Sequence, residues 1–255
     1  MQKLSSNRPD LPSLTQGQIP KVAAVHDICG YGNCSLGVAL PVLSAGGIEA
    51  CAVPTSVLSA HTLFPSYTFF DTTPTLADFF LNWKELGVTM DGLYTGFLGS
   101  AEQIDLILTY CDYFPDSYRV IDPVMGDHGS PYPTYTEEMC NEMKRLVPMA
   151  DILTPNLTEA SILLDTPYPG QSISPEQGEA ISKALLDMGA KHVVLKGIER
   201  DKTICNAVMG QNLAYRESPH ALHEVSLHGT GDLFASCLTA GIFSGPSLED
   251  SVIFS

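Results

Sequence analysis

The chain has 255 residues, enough for one large domain or two small ones with a substantial core. Hydrophobic residues make up 44% of it, yet no apolar run approaches the roughly 18–20 residues of a membrane span. Thirteen basic against twenty-nine acidic residues give a formal charge of −16, which argues against nucleic acid or an anionic membrane as the main partner. A small anionic ligand remains compatible, because a nest of backbone amides binds phosphate inside an acidic protein.

The first twenty residues are polar and contain proline, without an apolar signal segment. They are expected to form a disordered leader, 1–20, ahead of a single domain over 21–255, with cytoplasmic residence. The seven cysteines are scattered and form no CxxC pair, so free thiols in a reducing compartment are expected rather than disulfides or a zinc site.

Strand and helix patterns then alternate. Lys21–Val25 reads as a buried strand, Cys34–Ala45 as a helix stopped by Gly46-Gly47, and Ile48–Val53 as a second strand. Thr73-Pro74 opens a helix that Gly87 closes. Strand Gly92–Thr95 precedes a helix that starts at Ser100, with Gln103 completing a capping box. Strands Arg119–Ile121 and Asp151–Leu153 flank a helix around Glu137–Val147. Ser174-Pro175 with Gln177 begins a helix that ends at Gly189, followed by strand His192–Leu195. Thr203–Met209 and Leu213–Arg216 read as a hairpin turned at Gly210.

This alternation predicts a three-layer α/β domain with a mostly parallel central sheet, whose ligands bind at the carboxyl ends of the strands. Five polar clusters follow the strands: HDICGYGN, TGFLGS, IDPVMGD, TPNLTEA and LKGIERD. They are expected to share one rim.

Each cluster has a functional and a plain reading. Asp122 and Asp127 suit Mg²⁺, which prefers oxygen ligands, or else a turn in which Asp bonds its own backbone. Asn156 and Glu159 suit a helix cap and its first turn as well as a ligand site, and Lys196 suits a phosphate contact or plain solvation. The loop with His26-Asp27 and Gly30-Tyr31-Gly32-Asn33 is no dinucleotide fingerprint, since Ser35 stands where a glycine is needed, and no GK[ST] marks a Walker loop. It suits a substrate pocket. Metal-dependent hydrolysis would need partner histidines, for which only His61 and His128 offer themselves.

SLHGTGDLFAS, from Ser226 to Ser236, places Gly229-Thr230-Gly231 and then Asp232 before an apolar helical run. An amide nest at a helix start stabilises charge on a transferred phosphoryl group, and an aspartate beside it can take the proton of an attacking hydroxyl. Two glycines around a threonine exceed what a simple cap requires.

From about Lys21 to Gly245 the sequence resembles the ribokinase superfamily, and within it the pyridoxal (vitamin B6) kinase family. HGTGDLFAS is similar to the anion-hole and catalytic-aspartate signature. IDPVMGD and ADILTPNLTEA resemble the motifs that support ATP and its metal. VPTSVLSAHT and YTGFLGS resemble the segments around the pyridoxal pocket.

The resemblance implies Asp232 as general base and Gly229, Thr230 and Gly231 as anion hole. It implies Asp122, Asp127 and Glu159 around metal and phosphates, with Thr154, Asn156 and Lys196 lining the nucleotide side. His61 and Thr62 match the vitamin pocket, and Phe97 stands where an aromatic packs against the pyridine ring. ATP with Mg²⁺, commonly helped by K⁺, and a homodimer are implied too. Where many family members carry a serine that touches the pyridine, this chain reads Ala24-Val25-His26-Asp27 in a loop one residue shorter, and Asp27 is expected to take over that contact. The chain ends at SLEDSVIFS, where relatives continue with helical material, so a missing C-terminal helical end is expected. The implied activity is phosphorylation of the 5′-hydroxymethyl group of pyridoxal, pyridoxine or pyridoxamine. The alternatives are a hydroxymethylpyrimidine kinase and a non-catalytic B6-binding protein.

Overall fold

The computed structural model describes residues 11, 12, 14, 17–62, 64–223, 228–245 and 247–255, with the side chain of residue 254 left aside. Most of the expected leader over 1–20 lies outside the described residues, as do Ser226 and Leu227 of the glycine-rich stretch. The described residues form two compact units, one drawn from 1–119 with 227–255 and the other from 120–226.

In the first unit, strands β1 (Lys21–Cys29), β2 (Glu49–Leu58), β3 (Phe69–Asp71) and β4 (Gly92–Thr95) lie in the order β4-β1-β2-β3. β1 pairs in parallel with β2 and β4, while β3 is an antiparallel edge. Val22, Ala23, Ala24 and Val25 are wholly buried, as the continuous apolar run of a central parallel strand requires. Helices α1 (Leu36–Ala45), α2 (Thr73–Glu85) and α3 (Ala101–Tyr113) follow β1, β3 and β4. The β1–β2 register slips between His26 and Ile28, where Thr55 and Ser56 of β2 stand against the single residue Asp27. Such a bulge re-aims side chains at the end of a strand. Both Thr55 and Ser56 are buried, against the strict alternation of a regular strand.

In the second unit β5 (Tyr118–Ile121), which begins in the first, pairs in parallel with β8 (Ile152–Leu153). The order continues β8-β9-β10-β11, with β9 (His192–Arg200) parallel to β8. β10 (Thr203–Gly210) and β11 (Leu213–Ala221) complete an antiparallel hairpin, as expected. A two-residue turn at His128 and Gly129, both at positive φ, joins the short strands β6 (Gly126–Asp127) and β7 (Ser130–Pro131). Helices here are α4 (Glu137–Met143), α5 (Leu157–Leu164) and α6 (Pro175–Asp187). The chain then returns to the first unit for α7 (Thr230–Ser244) and α8 (Leu248–Phe254). The result is the mixed α/β fold with mostly parallel central strands that the alternation predicts.

Several bounds differ for physical reasons. β9 runs to Arg200 because β10 pairs with it through Arg200, Glu199 and Ile198, so all of LKGIERD but its final Asp201 is strand rather than loop. The helix expected over Glu137–Val147 turns into a 3₁₀ segment over Lys144–Met149, which contains Pro148, a residue that cannot donate to the helical ladder. At α3 only half of the capping box forms. Ser100 accepts from the Gln103 amide, but Gln103 Oε1 takes the Gly99 amide and Nε2 reaches the Thr55 carbonyl at 2.7 Å. The box at Ser174 and Gln177 is complete.

Candidate active site

The glycine-rich turn begins α7. Gly229 is its N-cap, in the left-handed region at φ 83°, and a Cβ there would collide with the Asn33 carbonyl. Only glycine fits. Asp232 lies in the first helical turn, and its Oδ2 accepts from the Ser35 amide at 2.9 Å. The Tyr94 hydroxyl donates to the Asp232 carbonyl at 3.3 Å, which ties the turn to β4. The Asp232 carboxylate therefore reaches out of its own helix. Thr230 and Gly231 occupy the first two helical positions, where amides lack helical acceptors.

Around the end of β1 the structure assembles residues that the sequence reading had left apart. Ser35, the N-cap of α1, holds φ 52° and ψ −132°, and its hydroxyl donates to Asp27 Oδ1 in a short hydrogen bond. Cys29 Sγ lies 3.2 Å from Asp27 Oδ2. Asp27 is buried, and that burial raises its pKa, against the lowering effect of the Ser35 and Cys29 contacts. The contact with Cys29 draws the Cys34 thiol down to about 5, helped by His228, while Cys29 moves up. His228 rises in turn, chiefly through Cys34. His61 stacks on His228 with ring centroids 4.1 Å apart, and burial followed by His228 lowers its pKa.

Thr62 is in the turn beside His61, and Phe97 is buried after β4, its carbonyl accepting from the Thr55 hydroxyl at 2.8 Å. His26 is fully buried, edge-on to Tyr94 at 4.3 Å, and burial lowers its pKa to about 3. Among the described residues neither ring nitrogen has a partner, and Gly96 leaves just enough room for the ring. His26 is thus enclosed in the core, where burial favours its neutral form.

The second unit carries the acidic group. Asp122 is 1% exposed at the end of β5, and Lys196 Nζ meets its Oδ1 at 2.6 Å. Burial raises the Asp122 pKa and the lysine opposes that shift. Glu159 is equally buried; burial pushes it up to about 8, with Lys196 opposing and Asp122 adding to the rise. Its Oε2 accepts from the Asn156 amide at 2.8 Å, and Asn156 Oδ1 accepts from the Glu159 amide at 2.8 Å. That is a complete capping box on α5, with Asn156 Nδ2 also bonded to the Gly126 carbonyl. The capping reading of Asn156 thus holds, and its side chain is engaged within the protein. Lys196 is buried and ion-paired, so the solvated reading of it fails.

Among the described residues Asp122 Oδ2 is buried without a partner, and Thr154 Oγ1, also buried, lies close enough to lower Asp122 while making no aligned hydrogen bond. Asp127 lies on the β6–β7 hairpin. Its Oδ1 accepts from the His128 amide at 2.8 Å, the turn-forming alternative, and its field acts on Tyr168. A cavity of about 420 Å³ in this unit is lined by Gly129, Tyr135, Thr158, Ile162 and Tyr168 among others, and by none of the candidate residues.

Ser35, Cys29, Cys34, His228 and Tyr94 were not singled out from sequence. Cysteines flanking a glycine-rich loop were the available signal, since such a loop can fold back on itself. The positive φ of Ser35 leaves no mark in composition or periodicity.

Comparison with known proteins gives concordant matches. The phosphomethylpyrimidine kinase family model matches residues 40–255. A pyridoxine/pyridoxal/pyridoxamine kinase of Bordetella avium is 32% identical, covering 91% of this chain and 80% of that protein. The thiamine biosynthetic bifunctional enzyme of Arabidopsis thaliana is 28% identical over 92% of this chain, which spans 45% of that longer protein. A Bacteroides thetaiotaomicron structure named for the phosphomethylpyrimidine kinases, crystallised with pyridoxal, is 36% identical with a TM-score of 0.88, over 92% of this chain and 84% of that one. The glycine-capped helix carrying Asp232 sits inside the matched region, and the chain belongs to the phosphomethylpyrimidine kinase family.

Proposed function

We propose that this protein is an ATP-dependent kinase that phosphorylates the 5′-hydroxymethyl group of pyridoxal, pyridoxine or pyridoxamine. The observation that carries this reading is the start of α7, where Gly229 holds a left-handed conformation against the Asn33 carbonyl and the Asp232 carboxylate accepts from the Ser35 amide at the start of another helix. Asp232 serves as general base for the acceptor hydroxyl. The amides of Gly229, Thr230 and Gly231 form the anion hole for the migrating phosphoryl group. His61, Thr62, Phe97 and the buried Asp27 line the vitamin pocket. The pyridoxal complex of the Bacteroides relative and the Bordetella kinase support B6 vitamers as acceptors.

Mg²⁺ would supply charge neutralisation on the triphosphate. Hard oxygen donors suit it, and the partnerless buried oxygens of Asp122 and Thr154 fit that requirement. Asp122 and Glu159 would hold the ion, with Asp127 on its hairpin; Thr154, Asn156 and Lys196 would line the nucleotide side, Lys196 opposing the effect of burial on Asp122. K⁺ is proposed as an auxiliary cation. The protein is further proposed to act as a cytoplasmic homodimer, in agreement with seven free cysteines.

Hydroxymethylpyrimidine is the rival acceptor, in line with relatives named hydroxymethylpyrimidine/phosphomethylpyrimidine kinase. Measuring kcat/KM for the B6 vitamers and for hydroxymethylpyrimidine with Mg²⁺-ATP decides between them. A higher value for hydroxymethylpyrimidine overturns the B6 assignment.

A further inference from the structure

We infer that Asp27, Cys29 and Cys34 form a binding site for a soft divalent cation of the Zn²⁺ class. One carboxylate oxygen and two sulfurs lie within 4.8 Å of one another at the end of β1. Tetrahedral Zn²⁺, with bonds of about 2.0–2.3 Å, needs its ligand atoms about 3–4 Å apart. Cys29 Sγ and Asp27 Oδ2, at 3.2 Å, already meet that spacing. Asp27 and Cys34 are buried and Cys29 is half-buried, so a cation would come in from the Cys29 side.

The surroundings prepare the ligands. The Ser35 hydroxyl holds Asp27 Oδ1, while Oδ2 faces the Cys29 sulfur. His228, whose ring packs on His61 at 4.1 Å and whose charge acts on Cys34, would serve as an outer partner. On binding, each sulfur acts as thiolate, any thiol proton passes to solvent, and the Cys29–Asp27 hydrogen bond gives way to two metal–ligand bonds. Thiolates select Zn²⁺ or Cu(I) over Mg²⁺, so the site is chemically distinct from the oxygen group around Asp122. Two cysteines with four residues between them do not form a CxxC, and the expectation of no zinc site followed from that spacing. The carboxylate two residues before Cys29 supplies the third ligand.

One consequence rests on the proposed kinase reading: a cation here withdraws Asp27 from the vitamin, so Zn²⁺ inhibits in competition with pyridoxal. Binding itself is tested without substrate. The reduced chain is titrated with Co²⁺ in the absence of nucleotide. One equivalent giving tetrahedral bands and thiolate-to-cobalt charge transfer is expected. Cys29→Ser and Cys34→Ser should each weaken binding beyond the roughly 10–100-fold that outer-shell partners are worth, whereas Cys51→Ser should bind as the parent does. A purely octahedral spectrum, or a thiolate band and affinity in both variants equal to the parent's, overturns the site. If a variant fails to fold, alkylation of the parent decides: Zn²⁺ should shield Cys29 and Cys34 from iodoacetamide, and equal labelling with and without Zn²⁺ overturns the site. Tight Co²⁺ binding with inhibition that pyridoxal does not relieve overturns only the vitamin placement.

Discussion

The backbone amide of Ser35 donates to the carboxylate of Asp232 at 2.9 Å across 197 residues of chain, while the Ser35 hydroxyl holds Asp27. One residue thus positions the proposed base through its main chain and a proposed pocket carboxyl through its side chain. The amide points at Asp232 with Ser35 at φ 52°, a region that costs an L residue of order 1–3 kcal/mol and persists only where neighbours over-determine it.

Ser35→Ala separates those two duties. The amide remains, so kcat should stay within a few-fold of the parent. The Asp27 carboxyl loses its hydroxyl partner, so KM for the vitamin should rise while KM for ATP holds. Steady-state kinetics on both substrates checks this, and a fall in kcat with an unchanged vitamin KM would contradict it.

Gly229→Ala should lose both stability and turnover. The left-handed conformation alone costs a residue with a Cβ roughly 1–2 kcal/mol, and the Asn33 carbonyl blocks the Cβ outright. Urea denaturation and turnover are measured on one preparation. A variant as stable and active as the parent would show that the turn is not built as described.

The buried Asp122–Lys196 pair makes an asymmetric prediction. Lys196→Met leaves a carboxyl that is 1% exposed without its cation, and breaking such a pair typically costs about 3–5 kcal/mol. The double variant Asp122→Asn/Lys196→Met should recover much of that loss, because no buried charge is then left unmatched. A double-mutant cycle by urea unfolding checks it; strict additivity would show that the two groups do not interact.

Much of this architecture was legible in the sequence. The apolar run Val22–Val25 announced a buried parallel strand, and Ser174 with Gln177 announced a helix start, because both signals are local. β3 escaped because three exposed residues at an edge carry no periodicity. The extension of β9 to Arg200 depends on pairing with β10, a tertiary gain that overrides polar composition. Within the site, the glycine at 229 and the acidic residues at 122 and 159 were visible as residue types. That Lys196 would pair with Asp122, or that Asp127 would turn back on the His128 amide, depends on side-chain directions no spacing encodes.

His26 makes a pH prediction. Its pKa falls from 6.5 to about 3 on folding, so between those values the unfolded chain binds more protons than the folded one. Stability contributed by neutral His26 is present above pH 6.5 and is lost as pH falls toward 3, at no more than about 1.4 kcal/mol per pH unit. His26→Leu should flatten that decline in urea denaturation between pH 6.5 and 4.5, and a variant whose stability falls in parallel with the parent would contradict the assignment.

The central claim is that Asp232 takes the proton of the acceptor hydroxyl. Asparagine keeps the shape and can accept the Ser35 amide, so folding should survive in Asp232→Asn. Losing general-base assistance should lower kcat for pyridoxal by about 10²–10⁴-fold, with KM for ATP little changed. The decisive measurement is kcat for pyridoxal phosphorylation by parent and Asp232→Asn, with melting temperature taken on the same samples. A fall in that range at an unchanged melting temperature is the predicted result. A folded Asp232→Asn variant that turns over at the parent's rate would contradict it and leave Asp232 a structural residue.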